Sequence, residues 1–173
     1  MKIYIASGLT HVPREKFSDY ANFVHRLANK LRSEPCGHEV KYALANSDPQ
    51  LAQKPANERA RLCYLWDRGM AEEAGLLIAD ATFPSIGLGI ELQLSATKSI
   101  PLLICFRHLD DYKAAPVEYL NPDHSRHELQ IGEGYVSLMA LGLPNLFRVI
   151  SYQDDDDGIR QVIEATELLA KTP

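Results

Sequence analysis

Apolar positions in this chain alternate between short dense runs and longer stretches where they recur every three or four residues. Lys2 to Ala6 is rich in β-branched and aromatic residues and stops at Ser7-Gly8, which predicts a buried parallel strand running into a loop. From about Arg14 to Ser33, Phe17, Tyr20, Ala21, Val24, Leu27, Ala28 and Leu31 form one apolar stripe and predict a helix. Gly37 precedes a second strand near Glu39 to Leu44. A polar stretch with Pro49 and Pro55 then leads into a helix from about Ala56 to Ala74, with Leu62, Leu65, Trp66 and Met70 as its apolar side. The third strand is Leu76 to Ala79, residues 81 to 87 form a loop, Leu88 to Thr97 is helical, and Pro101 to Phe106 is the fourth strand. Residues 107 to 132 carry Pro116, Pro122 and many charges and read as a long surface loop. A short helix, a strand at Leu146 to Ile150 and a helix from about Asp156 to Ala170 follow.

Strands alternating with helices imply right-handed crossovers and a parallel sheet covered on both faces. Five strands predict a flavodoxin-like (Rossmann-like) three-layer α/β fold, formed as one domain over residues 1–173. Ligands in such folds bind beyond the carboxyl ends of the strands near the point where strand order reverses. Here that means the loops after Ala6 and after Asp80.

Composition narrows the partners. A net charge of −5 argues against a nucleic-acid polymer, which requires a basic surface, but leaves room for one phosphate held locally. Cys36, Cys63 and Cys105 are odd in number and far apart, so thiols in a reducing, cytoplasmic compartment are expected. The opening apolar run is too short for a signal peptide or a membrane span, and no membrane partner is expected.

The chemistry concentrates in Asp80-Ala81-Thr82-Phe83-Pro84-Ser85-Ile86-Gly87-Leu88-Gly89-Ile90-Glu91-Leu92. Gly87 and Gly89 permit a tight turn and close approach of a ligand to the backbone. Unpaired amides at the helix start suit an anion, and Ser85 adds a neutral donor, so the segment fits a phosphate. Glu91 is expected in the first helical turn, where the helix dipole favours an ionised carboxylate available as a nucleophile. An acid in that place also serves simply to stabilise a helix. Gly87-Leu88-Gly89 is not a dinucleotide fingerprint, because the third glycine is missing and it follows the wrong strand, and no Walker lysine follows.

The segment Ser85 to Glu91, continued as Leu92-Gln93-Leu94-Ser95-Ala96, resembles the signature of the nucleoside 2-deoxyribosyltransferase superfamily. Within it, Pro84-Ser85-Ile86-Gly87-Leu88-Gly89 is most similar to the deoxynucleoside 5′-monophosphate N-glycosidases, the Rcl group. The resemblance implies that Glu91 attacks C1′ of the sugar and that Asp67 is the second carboxylate, orienting Glu91 or the base and taking part in proton transfer. It implies a first strand and phosphate-side loop at Lys2-Ile3-Tyr4-Ile5-Ala6-Ser7-Gly8, with Tyr4, Ser7 and Gly8 in the site. Ser137-Leu138-Met139 resembles the segment whose serine reaches the phosphate in the neighbouring subunit of a homodimer. Transferases acting on free nucleosides tend to carry a carboxylate shortly before the Gly-x-Gly turn, whereas Ser85 can donate to a phosphate. Arg14 could add positive charge there, or be an ordinary surface arginine.

The implied reaction is hydrolysis of a (2′-deoxy)nucleoside 5′-monophosphate to free base and sugar phosphate through a covalent glycosyl intermediate, without metal or organic cofactor. Base exchange by a transferase and a non-catalytic nucleotide-binding module remain open. So does ribose in place of deoxyribose. His124 and His127 lack a third ligand, and Asp154 to Asp157 lacks calcium-loop spacing and reads as the cap of the last helix.

Overall fold

The computed structural model describes residues 1–33 and 35–171. Its elements in chain order are β1 (Lys2–Ser7), α1 (Arg14–Arg32), β2 (Glu39–Tyr42), α2 (Ala43–Asn46), α3 (Asp48–Leu51), α4 (Ala56–Glu73), β3 (Leu76–Asp80), α5 (Ile86–Thr97), β4 (Leu102–Arg107), a 3₁₀ turn (Asp110–Tyr112), β5 (Glu118–Leu120), β6 (Arg126–Glu128), α6 (Leu138–Leu141), β7 (Leu146–Tyr152) and α7 (Asp155–Ala170). The five-stranded sheet runs β2-β1-β3-β4-β7 and every pairing in it is parallel. This is the flavodoxin-like order, so strand succession reverses between β1 and β3, whose ends meet at the Ser7–Asp80 pair.

Alternation along the strands divides the core into two layers. Ile3, Ile5, Leu76, Ile78, Leu103 and Cys105 pack with α1 and α7. Tyr4, Ala6, Leu77, Ala79, Ile104 and Phe106 pack on the opposite face, with residues of α4 and α5. At the carboxyl edge Asp80 is fully buried and accepts hydrogen bonds from the Tyr20 and Tyr152 hydroxyls (3.0 Å each) and the Thr82 amide (3.1 Å). Burial pushes its carboxyl up from the usual range, and these donors work against that push.

Several expected boundaries shift. β2 stops at Tyr42 rather than Leu44, because the Tyr42 amide donates to the Asn46 side chain and the chain turns into α2. α5 begins at Ile86 rather than Leu88, because the Ser85 hydroxyl accepts from the Leu88 amide and caps the helix two residues earlier. β7 runs to Tyr152, whose ring stacks on Phe23. The apolar side expected for α4 is only partly covered: Met70 and Ala71 are buried, whereas Leu65 is exposed. Residues 107–132 are not structureless, since β5 and β6 pair antiparallel and Asp123 Oδ1 braces their turn by accepting from the Ser125 amide and hydroxyl. Asp154 caps α7 by accepting from the Asp157 amide (2.9 Å). Among the described residues no helix is long and apolar enough to cross a membrane, and no three His, Cys, Asp or Glu side chains are grouped to hold a metal.

Candidate active site

Two helices and the end of β1 bring the expected carboxylates together. Tyr4 points from β1 towards α5 and donates its phenolic proton to Glu91 Oε1 at 2.5 Å. Glu91 is the sixth residue of α5, one turn deeper than expected, so the helix N-terminus is not what tunes it. Burial raises its carboxyl to about 7, the Tyr4 hydrogen bond pulls it down, and the charge of Asp67 adds to the rise. Burial, with Glu91 and Asp67 alongside, also raises the Tyr4 phenol well above its ordinary range, so Tyr4 keeps its proton.

Asp67 projects from α4 and is held at both oxygens. The hydroxyl of fully buried Ser47 donates to Oδ1 at 2.9 Å, and the Cys63 thiol donates to Oδ2 at 3.3 Å. Burial followed by the charge of Asp67 pushes Cys63 up to about 11, so it remains a thiol and a donor.

These side chains border a cavity of about 490 Å³ whose walls include Ser7, Thr10, Asp48, Cys63, Asp67, Ser85, Gly87 and Glu91. At its α5 end, Ser85 accepts from the Leu88 amide and so retains its own proton for a ligand, while its carbonyl accepts from Gly89. The Ile86 and Gly87 amides are left with no acceptor inside the helix. Ser7 Oγ is enclosed beside the Tyr20 hydroxyl, which donates to Asp80. Asp48 and Asp67 also line the cavity, as does Arg68, whose guanidinium donates to Glu72 (2.9 Å).

The glycines divide differently from expectation. Gly87 and Gly89 are helical with no positive φ, so no tight turn depends on them, and a Cβ on Gly89 would meet open space. Gly8 is the position that needs the missing side chain: a Cβ there would lie 2.7 Å from Ser85 Cβ and 3.0 Å from the Phe83 carbonyl. It lets the loop after β1 close against the loop before α5.

Of the residues singled out in the sequence, Ser7, Asp67, Ser85, Gly87 and Glu91 line the cavity, Tyr4 joins it through Glu91, and Gly8 packs behind it. Arg14 and Gly89 are not in its walls. Ser137 caps α6 by accepting from the Met139 amide and lines a separate cleft with Tyr135 and Leu138. Ser47, Asp48 and Cys63 escaped the sequence reading. Cys63 could have been found from its spacing, since it stands four residues before Asp67 on one helical face. Nothing in Ser47-Asp48-Pro49 distinguishes it from any polar turn. A smaller cleft of about 240 Å³ near Tyr20, Phe83 and Arg107 holds none of the expected catalytic residues.

No protein-family model matches the chain. A curated relative from Methanosarcina mazei, described as "Putative 2'-deoxynucleoside 5'-phosphate N-hydrolase 1", is 32% identical over 77 residues. That match takes in 44% of this chain and 47% of the relative, so the chain spans about half the length of the curated relative it matches. Among solved structures, the Clostridium botulinum CMP N-glycosidase BcmB superposes with a TM-score of 0.56 at 14% identity, over 95% of this chain and 99% of the other. A conserved protein from Enterococcus faecalis V583 gives 0.58 at 18% identity, over 94% and 98%. At these identities the likeness to the solved structures is one of fold. The name of the curated relative agrees with the group that the segment Ser85 to Glu91 resembles.

Proposed function

We propose that this chain is an N-glycosidase that hydrolyses (2′-deoxy)nucleoside 5′-monophosphates, with Glu91 as the nucleophile. The observation that carries the reading is the Tyr4–Glu91 pair at the wall of the cavity, one helical turn beyond the Ile86 and Gly87 amides that the Ser85 cap leaves over. Residues 87 and 91 are separated by about 6 Å along the helix axis. A phosphate on the Ile86 and Gly87 amides, with Ser7 and Ser85 donating, therefore sets C1′ of the attached sugar over the Glu91 carboxylate. The name of the curated relative and the shared fold of the CMP N-glycosidase support the same class of reaction.

In this reading the transition state carries positive charge on the sugar, and an ionised Glu91 stabilises it before bonding to C1′. Tyr4 fixes the orientation of the attacking carboxylate. Asp67 raises the basicity of Glu91 and thereby its nucleophilic strength. Water then attacks C1′ and releases the sugar phosphate. Cys63 and Cys105 as unoxidised thiols fit a cytoplasmic setting.

The working unit in this reading is a homodimer. α5 is rich in apolar residues, yet Ile86 is 83% exposed and Ile90 is exposed too, as are Tyr64 and Leu65 of α4. Grouped exposed apolar side chains of this kind suit cover by a partner surface. In such a homodimer Ser137, flanked by exposed Leu138 and Met139, is the residue expected to reach the phosphate of its neighbour.

The test is incubation with a panel of deoxy- and ribonucleoside monophosphates, with the released base measured by chromatography. Base release by the native chain and its loss in a folded Glu91→Ala variant are expected. Full activity in that variant would end the assignment, and a need for an added acceptor base would move the chain to the transferases.

A further inference from the structure

We infer that Asp48 is the acid that hands a proton to the departing base, and that Asp67 acts beside it only as an acceptor. This rests on the N-glycosidase reading above and assigns a group to the one step that reading leaves open.

Topology places Asp48 where the base must lie. β2 and β3 flank β1, so the segment after β2 and the helix after β3 rise on either side of the β1 end. α5, after β3, offers the amides and Glu91. α3, after β2, begins at Asp48, which stands at the rim of the same cavity. A nucleotide with its phosphate at the start of α5 and its sugar over Glu91 extends its base towards α3. Pro49 at the start of α3 and the fully buried Ser47 before Asp48 hold that rim in place.

The other proton-bearing groups of the cavity are committed. The Tyr4 proton goes to Glu91, the Cys63 proton goes to Asp67 Oδ2, and the Ser47 proton is shared between Asp67 Oδ1 (2.9 Å) and the Ala43 carbonyl (3.2 Å). With donors at both oxygens, Asp67 presents acceptors and has no proton directed at a ligand. Tyr64 also borders the cavity, but a phenol is a far weaker acid than a carboxyl. Asp48 is exposed where it lines the cavity and has no side-chain hydrogen bond or ion pair among the described residues. Asp67 and Cys63 of α4 are its titratable neighbours, Glu91 of α5 lines the same cavity, and Arg68 donates to Glu72. Burial and then the charge of Asp67 raise its carboxyl above the ordinary range, which lengthens the pH span over which it stays protonated.

The step balances without a further reactant. As the C1′–N bond breaks, its electron pair goes to the base nitrogen, which takes the proton of Asp48, and a Glu91 oxygen bonds to C1′. Water then attacks C1′, its proton passes to the Asp48 carboxylate, and Glu91 leaves as the carboxylate. Both carboxyls return to their starting states.

The experiment compares the native chain with Asp48→Asn and Asp67→Asn on two substrates: the best nucleotide of the panel, and 4-nitrophenyl 2-deoxyribose 5-phosphate, whose leaving group departs without a proton. Asp48→Asn is expected to slow base release from the nucleotide by about 100-fold and to leave the nitrophenyl reaction within about threefold of native. Asp67→Asn is expected to slow both substrates to a similar degree. Equal slowing of the two substrates by Asp48→Asn, or less than about tenfold slowing on the nucleotide, overturns the assignment. If the native chain turns over the nucleotide but not the nitrophenyl compound, the nucleotide rate in Asp48→Asn decides alone by the same limit. Failure of the native chain to release base from any nucleotide overturns the N-glycosidase reading itself, and this inference with it.

Discussion

The Tyr4 hydroxyl and the Glu91 carboxylate share a 2.5 Å hydrogen bond that ties β1, the strand beside the central β3, to α5. Strand alternation turns Tyr4 towards α5, and capping at Ser85 sets the phase of that helix so that Glu91 meets it. Tyr4 and Asp67 then act on one carboxylate in opposite senses: the hydrogen bond favours the ionised form and the neighbouring charge disfavours it.

The pH dependence of kcat/KM should report this balance. On the nitrophenyl substrate, whose leaving group needs no proton, a nucleophilic Glu91 must be ionised, so activity is expected to fall below a limb near the value of about 7 to which burial pushes it. Tyr4→Phe should move that limb to higher pH and Asp67→Asn should move it to lower pH. Loss of a hydrogen bond to a charged group is worth about 1.5–3 kcal/mol, so Tyr4→Phe should also lower kcat by about 10- to 160-fold. Limbs that shift in the same direction would contradict the opposing roles.

Stability carries the mirror image of the same property. Glu91 has a folded value of about 7 against an ordinary 4.5, so its favourable contribution is fully present below 4.5 and is lost as pH rises through 7. At pH 8 the native fold therefore carries a buried negative charge that the unfolded chain does not. Glu91→Gln is expected to be more stable than the native chain at pH 8, by up to about 3 kcal/mol, and to match it near pH 4. Denaturant unfolding at both pH values checks this; a destabilised variant at pH 8 would contradict it.

The glycines separate packing from propensity. Gly8→Ala would force a Cβ against Ser85 and the Phe83 carbonyl, and should lower stability by about 1–3 kcal/mol while raising KM through displacement of Ser85. Gly89→Ala meets open space within a helix and should raise stability by about 0.5–1 kcal/mol. Thermal unfolding of the two variants distinguishes them, and equal effects would contradict the geometry of the Gly8 crossing.

Assembly can be separated from catalysis. Ile86→Glu on the exposed face of α5 should shift the chain to a monomer by sedimentation. Ser137→Ala should leave the dimer intact and raise KM for nucleotides by about 10-fold, the loss of one hydrogen bond to a charged phosphate. An Ile86→Glu monomer with native KM would contradict a shared phosphate site.

The sheet and its order were legible because β1, β3 and β4 are short apolar runs separated by strongly periodic helices such as α1. Glu91 and Ser85 were legible through a local motif. What the sequence concealed depends on tertiary contact. Ser85 reads equally well as a loop donor or a helix cap, and choosing the cap moved Glu91 from the first turn to the second. The environment of Glu91, and so the sign of its shift, comes from Tyr4 and from burial, which no local window contains. Ser47 and Asp48 lie in a polar turn whose meaning appears only when β2 is placed beside β1. The hairpin of β5 and β6 was hidden because three-residue strands give too little alternation to register.

The central claim is that Glu91 bonds to the sugar. Rapid acid quenching of the native chain during turnover of its best nucleotide, followed by proteolysis and mass spectrometry, tests it most directly. The peptide containing Glu91 should gain the mass of the sugar phosphate on that glutamate, and the gain should be absent in Glu91→Gln. Turnover without any adduct on Glu91, or an adduct on another carboxylate, would contradict the account.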